Sequence, residues 1–273
     1  MTSALGLAGA QAAGLMEMYG PSMQKRFNPG PAARAGVTAA VLAGMGFTGA
    51  DTIFEGERGF GAEFSGRLDL DELTGGLGSR IPVIVEHKAY SAARPIHNAI
   101  DCALAMRPKL DGSLENIQGI VVHRHPDWAD YHLNQKPSTY HEAQVSLPYS
   151  VAIALKFGSA LPEQYSDVNL QDAELQSLAR LVSIEKDPSL PRGVSCRTVI
   201  TLTDGRIVES QVDDPKGSVG NPLTQNELVA KFKMLTDPML SPPRADAVIA
   251  SVDNLESLEN IGSLLKLVEP DLA

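Results

Sequence analysis

A helix built almost wholly from small residues is the feature that most constrains how this chain of 273 residues can fold. The stretch from residue 31 to residue 46 contains Ala32, Ala33, Ala35, Gly36, Ala39, Ala40, Ala43 and Gly44. Neighbouring elements can approach such a helix closely. The turn Asn28-Pro29-Gly30-Pro31 precedes it, and Pro31 suits the first helical turn because its missing N–H is not needed there. The sequence therefore predicts a closely packed helical region near the start of the chain.

Two cations, Lys25 and Arg26, stand directly before this turn. The backbone N–H groups and the dipole at a helix N-terminus already favour an anion. The chain as a whole is acidic, with 23 Lys and Arg against 33 Asp and Glu, a net charge of −10. That balance argues against a nucleic-acid binder, which normally has a basic face. We therefore expect a local site for a carboxylate or phosphate.

The two cysteines, Cys102 and Cys196, limit the metal chemistry that is open to the chain. They show no CxxC spacing and cannot ligate an iron–sulfur cluster alone, and we expect a reduced compartment. The apolar run from Ala4 to Met16 is too short to span a bilayer and has no basic leader. The sequence thus predicts a cytoplasmic protein with no membrane partner.

The pattern of elements predicts an α+β fold in three segments. Residues 1–80 read as a first helical part, in which the helix at residues 4–18 is apolar nearly all round and should be buried on all sides. A short helix is also expected around Thr52 to Glu57. Residues 81–212 alternate between strands and helices, beginning with the β-branched strand IPVIVEHKAY. They end in a hairpin of residues 197–202 and 206–212, indicated by the turn signal Asp204-Gly205. Residues 213–273 return to helix, and Thr224 and Glu227 stand at the positions of a capping box.

Four groups of residues resemble the MmgE/PrpD family, which includes 2-methylcitrate dehydratase and cis-aconitate decarboxylase. The first is Lys25-Arg26 with the turn and helix that follow, as far as Gly46-Phe47-Thr48-Gly49, and the second is Phe54-Glu55-Gly56 with Gly59-Phe60. The third is Glu86-His87-Lys88, continuing through Arg94, His97 and Ile100-Asp101. The fourth begins at Glu142-Ala143-Gln144-Val145-Ser146-Leu147-Pro148-Tyr149 and continues with Gly220-Asn221-Pro222-Leu223-Thr224 and Lys231-Phe232. The order and spacing of these groups carry the resemblance across nearly the whole chain.

The resemblance implies a mostly helical domain with an inserted α/β lid domain, and a site between them. It also implies cofactor-free lyase or isomerase chemistry on small polycarboxylates, led by dehydration of a 2-methylcitrate-like acid. Decarboxylation of a cis-aconitate-like acid and epimerisation remain alternatives. Family members begin with a long helical segment that carries an essential histidine, and nothing in this sequence corresponds to it. A non-catalytic truncated homologue, or half of a split enzyme, is therefore the alternative of another class, and we expect a homodimer or a complementing chain.

Lys25 and Lys88 are the residues expected to bind substrate carboxylates and to stabilise developing negative charge. Removal of a proton alpha to a carboxylate needs fixed positive charge where the negative charge grows. The competing interpretation is that both are solvated surface lysines. Arg26 could assist Lys25, although a surface ion pair is the simpler interpretation.

Three further residues are candidates for the same site. Arg94 could bind a carboxylate through two parallel hydrogen bonds, or could pair with Asp101 to stabilise the fold. His97 could transfer a proton, or could be a structural histidine on an apolar helix face. Tyr149 could donate to the substrate or could be a satisfied core tyrosine. The histidines at positions 123, 125, 132 and 141 lack partners at reliable ligand spacing, so the sequence predicts no metal site.

Overall fold

The structure is a computed structural model that describes residues 1–12, 27–66, 69–79, 83–110 and 114–269. The chain divides into two compact units, Met1–Val83 and Ile84–Ala273. Helices and a mixed four-stranded sheet together give an α+β fold. The assignment of residues 213–273 to the same domain as residues 1–80 stays a prediction.

The first unit is helical in the part that the structure describes. Its helices are α1 (Thr2–Gly9), α2 (Pro29–Gly44), α3 (Phe60–Ser65) and α4 (Leu70–Thr74). Helix α2 is the predicted small-residue helix, with proline in its first turn and Ala35 and Ala39 buried. Gly6 of α1 lies against the main chain of Gly49 and Ala50, where a side chain would not fit. This close contact joins α1 to residues 49 and 50. The close packing predicted for α2 itself is limited to Ala35 and Ala39, because most of its other small residues are exposed within the described chain.

Two predictions for this region differ from the structure. Only Gly6 is buried in α1, and the side chain of Leu5 is 44% exposed, so this helix is not buried on all sides within the described chain. Residues 13–18 of the predicted helix lie outside the described residues. The short helix expected at residues 52–57 is a series of turns instead, because the glycines at 56 and 59 interrupt any helical ladder.

The second unit is built on a sheet of order β2-β1-β3-β4. Strand β1 (Ile117–Arg124) pairs in parallel with β2 (Val182–Lys186) and antiparallel with β3 (Cys196–Leu202), which forms a hairpin with β4 (Ile207–Val212). The hairpin was predicted from Asp204-Gly205, and Gly205 has the positive φ of 86° that its turn requires. Strand β2 was not predicted, because its few residues follow directly on a helix.

The described part of this unit also contains nine α-helices. They are α5 (His97–Met106), α6 (Pro126–Ala129), α7 (Tyr140–Gln144), α8 (Leu147–Phe157), α9 (Asp167–Leu170) and α10 (Ala173–Arg180), followed by α11 (Gln225–Thr236), α12 (Pro242–Asp253) and α13 (Gly262–Leu267). Helix α5 packs on β3, β4 and α8, and α8 packs on α10. Short 3₁₀ turns lie at Arg94–Ile96, Arg107–Leu110, Leu114–Asn116, Pro162–Tyr165 and Leu255–Ser257. The start of α5, the turn before it and the middle of α11, rather than the sheet itself, carry the residues of the candidate site.

The strand predicted at the start of this unit is wrong in its described part. Residues 83–88 have no regular secondary structure, and the side chains of Val83, Ile84 and Val85 are mostly exposed. The β-branched sequence favours an extended backbone, but none of the strands in the described ranges pairs with it to complete a ladder. We call residues 84–90 the Lys88 segment.

Candidate functional site

The Lys88 segment is held by groups that lie far away in the sequence. The His87 N–H donates to the Gly217 carbonyl at 2.8 Å, and the Lys231 ammonium donates to the Lys88 carbonyl. Gly217 has a φ of 89°, and a side chain there would overlap the His87 carbonyl oxygen. The position of Lys88 therefore depends on the loop at residue 217 and on helix α11.

Arg94 lies at the start of the turn that leads into α5. Its Nη2 forms an ion pair with Glu86 at 3.2 Å, so its partner is not Asp101. Its Nε and Nη1 are buried and have no hydrogen-bond partner in the described structure. Buried unpaired donors cost free energy, which an incoming carboxylate would recover through charge-assisted hydrogen bonds. The guanidinium thus keeps the donors that bidentate binding requires.

His97, the first residue of α5, is fully buried. Its Nε2 lies 3.3 Å from the Ala92 carbonyl oxygen, which can only accept, so the hydrogen bond assigns the proton to Nε2. Nδ1 then carries a lone pair, and it has no partner among the described residues. Burial, together with the charges of Arg94, Lys88 and Lys231, lowers the pKa of His97 to about 4. His97 is therefore a neutral base surrounded by cations.

The turn before α5 is fixed from the sheet by Arg124. This side chain is buried at the end of β1, and it donates to the carbonyls of Pro95 and Trp128, both at 2.7 Å. Burial lowers its pKa to about 10. Because Pro95 stands two residues before His97, this contact restrains the ring that the site depends on.

A second hydrogen-bonded group lies on the other side of His97. The Tyr90 ring lies edge-on to the His97 ring at 5.1 Å, and its hydroxyl donates to Asp101 Oδ1. Asp101 Oδ2 accepts from the Lys216 N–H at 2.7 Å. Burial raises the pKa of both the Tyr90 phenol and the Asp101 carboxyl. The phenol therefore stays protonated and ties the Lys88 segment to α5.

Tyr149 lies on α8, the helix that packs on α5. It is 1% exposed in the first turn of α8, and its hydroxyl has no hydrogen-bond partner in the described structure. Burial raises its pKa to about 12, with a further contribution from the charge of Asp172, and its ring lies 6.5 Å from that of Tyr165. These neighbours are not the residues around His97, so a role for Tyr149 in the site stays a prediction.

Lys25 and Arg26 lie outside the described residues, so a meeting of Lys25 with Lys88 stays a prediction. Among the described residues, no group of three or more His, Cys, Asp or Glu side chains could hold a metal ion. His123 instead lies 3.6 Å from Glu185, and His125 accepts from the Asp127 N–H at the start of α6.

Three further residues belong to the candidate site, although we assigned them no role from the sequence. The Lys88 segment is contacted by Lys231 and Gly217, and the His97 ring is contacted by Tyr90. Lys231 was noted only as part of the resemblance, because a lysine on a polar helix face gives no signal of its own. The positive φ of Gly217 and its contact with residue 87 depend on tertiary structure.

No helix in the described ranges combines the length and the apolar character that a membrane crossing requires.

The comparisons with known proteins agree over nearly the whole chain. Residues 90–257 match the MmgE/PrpD C-terminal domain, and residues 1–73 match the MmgE/PrpD N-terminal domain. Cis-aconitate decarboxylase from Mus musculus is 28% identical over 256 residues, which is 90% of this chain and 52% of the mouse protein. The enzyme of the same name from Aspergillus terreus is 27% identical, over 98% of this chain and 59% of the fungal protein. The human one is 27% identical, over 90% of this chain and 53% of its own length. The chain thus spans a little over half the length of these curated relatives, and it belongs to the MmgE/PrpD family.

Proposed function

We propose that this protein is a lyase acting on small polycarboxylates, and that its substrate is a tricarboxylate of the cis-aconitate type. The observation that carries the proposal is the convergence of Lys88, Arg94 and Lys231 on a buried, neutral His97 in an acidic chain. Membership of the MmgE/PrpD family and the names of the relatives support the reaction class.

Decarboxylation of such an acid breaks the bond between carbon and one carboxylate and releases carbon dioxide. The electron pair passes into the adjacent double bond, and a proton must then be added to carbon. Dehydration of a 2-methylcitrate-like acid, our expectation from the sequence, instead removes a proton alpha to a carboxylate and expels a hydroxyl group. Both routes, like epimerisation, build negative charge next to carboxylates, and fixed cations stabilise that charge.

The residues have separate roles in this proposal. Lys88 and Arg94 bind substrate carboxylates, with Lys25 and Arg26 doing so from the first unit. In dehydration or epimerisation, His97 Nδ1 takes the proton from the substrate. In decarboxylation, Nδ1 first takes a proton from water and then delivers it to carbon. An arriving polyanion offsets the surrounding positive charge, so substrate binding raises the pKa of His97 towards neutrality and makes it a better base. Tyr149 would donate to the substrate or to the leaving group.

Three wider expectations belong to the same proposal. The α/β segment 81–212 would be a lid inserted between the helical segments 1–80 and 213–273. The chain would act as a homodimer or with a complementing chain. It would work in the cytoplasm without a cofactor.

The test measures binding and turnover separately. Calorimetry with propane-1,2,3-tricarboxylate, a saturated acid that cannot react, measures binding by the chain. Arg94→Met removes the charge and the free donors, and should weaken binding at least tenfold, since a hydrogen bond to a charged group contributes about 1.5–3 kcal/mol. Arg192→Met is the control, because that side chain is 84% exposed and pairs only with Asp127 in the described structure. Equal affinities of the two variants, or no binding by the wild-type chain, would refute the proposed site.

Turnover then separates the candidate reactions. Proton NMR follows cis-aconitate, citrate and 2-methylcitrate with the chain alone and with the family's remaining segment supplied as a second polypeptide. Loss of carbon dioxide from cis-aconitate supports decarboxylation, and formation of a double bond from 2-methylcitrate supports dehydration. Activity only in the mixture indicates a split enzyme, whereas binding without turnover in either sample indicates a binding protein and refutes the lyase.

A further inference from the structure

Lys231 has a partner that is unusual for a lysine on an exposed helix. Its ammonium donates to the main-chain carbonyl of Lys88, 143 positions away in the sequence. It forms no ion pair with a carboxylate among the described residues, so its charge is not neutralised there. Two residues along α11, Lys233 pairs with Asp246 at 2.6 Å in the ordinary way. The two lysines therefore differ in environment although they share a helix.

Helix α11 is anchored to the site at its N-terminus. Thr224 and Glu227 form the predicted capping box, in which each side chain binds the other residue's main-chain N–H. Glu227 also forms an ion pair with Lys216 at 3.0 Å, and the Lys216 N–H binds Asp101. The hydrogen bonds from the Thr224 main chain, together with Lys216, lower the pKa of Glu227 to about 2. The helix start is thus fixed relative to α5, which carries His97.

We propose that Lys231 is a positioning residue of the candidate site, which fixes the main chain at Lys88 and adds a third positive charge beside His97. This inference rests on the proposed function, because Lys88, whose main chain Lys231 holds, is a proposed binding residue for the substrate. An ammonium bound to a neutral carbonyl keeps its charge available, so Lys231 also attracts a polyanion without touching it.

The test compares Lys231→Met with Lys233→Met. Methionine keeps much of the length of lysine but removes the charge and the donors. In Lys231→Met, amide hydrogen exchange at residues 87–90 should speed up about tenfold. The NMR-measured pKa of His97 should rise, because a cation that lowers it has been removed, and the affinity for propane-1,2,3-tricarboxylate should fall about tenfold. Lys233→Met should leave all three unchanged.

A conservative variant separates charge from geometry. Lys231→Arg keeps a cationic donor at the same place and should restore the pKa of His97. If Lys231→Met does not fold, Lys231→Gln replaces it: a donor remains without the charge, so the pKa of His97 should rise while local protection falls less. The inference is overturned if the methionine variants at positions 231 and 233 behave alike in exchange and in His97 titration. Those two measurements need no ligand, so they judge Lys231 even if the wild-type chain binds no polycarboxylate and the proposed function fails.

Discussion

Replacing Gly217 by alanine tests how closely the Lys88 segment is held. Gly217 has a φ of 89°, and alanine pays about 1–2 kcal/mol for that left-handed conformation. Its new methyl group would also overlap the His87 carbonyl oxygen and lie 3.0 Å from the His87 carbonyl carbon. Since ordinary carbon contacts begin at about 3.5 Å, the two chains must separate by roughly 1 Å.

That separation breaks specific hydrogen bonds. The His87 N–H to Gly217 carbonyl bond and the Gly217 N–H to Asn221 carbonyl bond are both 2.8 Å long. Each such bond contributes about 0.5–1.5 kcal/mol, so their loss costs about 2 kcal/mol beyond the backbone strain. Gly205→Ala is the matched control, because Gly205 has a φ of 86° and nothing lies within 4 Å of a new methyl group.

Hydrogen exchange measures this difference where it arises. The free energy of opening at the His87 amide should fall by about 2 kcal/mol more in Gly217→Ala than in Gly205→Ala, which is roughly a 30-fold faster exchange. Amides of β1 and β3 should change little, because the sheet does not depend on this contact. If the two alanine variants lower protection at His87 equally, the close approach contributes nothing and our reasoning about the segment is wrong.

Three further predictions concern pH and thiol chemistry. The folded-state pKa of His97 is about 4, below its unfolded value, so the unfolded chain binds a proton first as the pH drops. The free energy of unfolding should therefore fall between about pH 6.5 and pH 4. In urea titrations of His97→Gln, the free energy of unfolding should depend less on pH across that range. The hydrogen bond from Lys156 lowers the pKa of Asp172 in the folded chain. The stabilisation by Asp172 is therefore present above its unfolded-state pKa and is lost as the pH falls through its folded-state pKa. In the same assay, Asp172→Asn should remove this loss of stability below about pH 4. The buried thiols of Cys102 and Cys196, 3.7 Å apart, should react with an aromatic disulfide reagent only after unfolding, and rapid reaction of the native protein would contradict this.

Local signals in the sequence predicted much of the second unit. The Thr224–Glu227 capping box and the Asp204-Gly205 turn each act within a few residues, and the structure contains both. The same holds for the small-residue helix α2 in the first unit. Each of these signals works through the backbone groups of its own element, so no distant partner is needed to interpret it.

Long-range partners decide what the sequence did not predict. Residues 83–90 have the composition of a strand, yet they form none in the described part because no strand lies beside them. Strand β2 forms because β1 provides a parallel partner, beginning at Ile120 and Val182. For the same reason Arg94, His97 and Lys88 could be proposed from the sequence, whereas Lys231 and Tyr90 could be assigned only from their contacts.

The order in which the chain leaves the ribosome has a consequence for Lys88. Its segment emerges early, but the groups that hold it, Gly217 and Lys231, are translated about 130 to 143 residues later. The sheet needs nothing beyond Val212, so it can form on the nascent chain while the stretch around Lys88 is still unanchored. The geometry of the candidate site is therefore among the last features that biosynthesis completes, and a chain that stops before α11 would keep its sheet but lose that geometry.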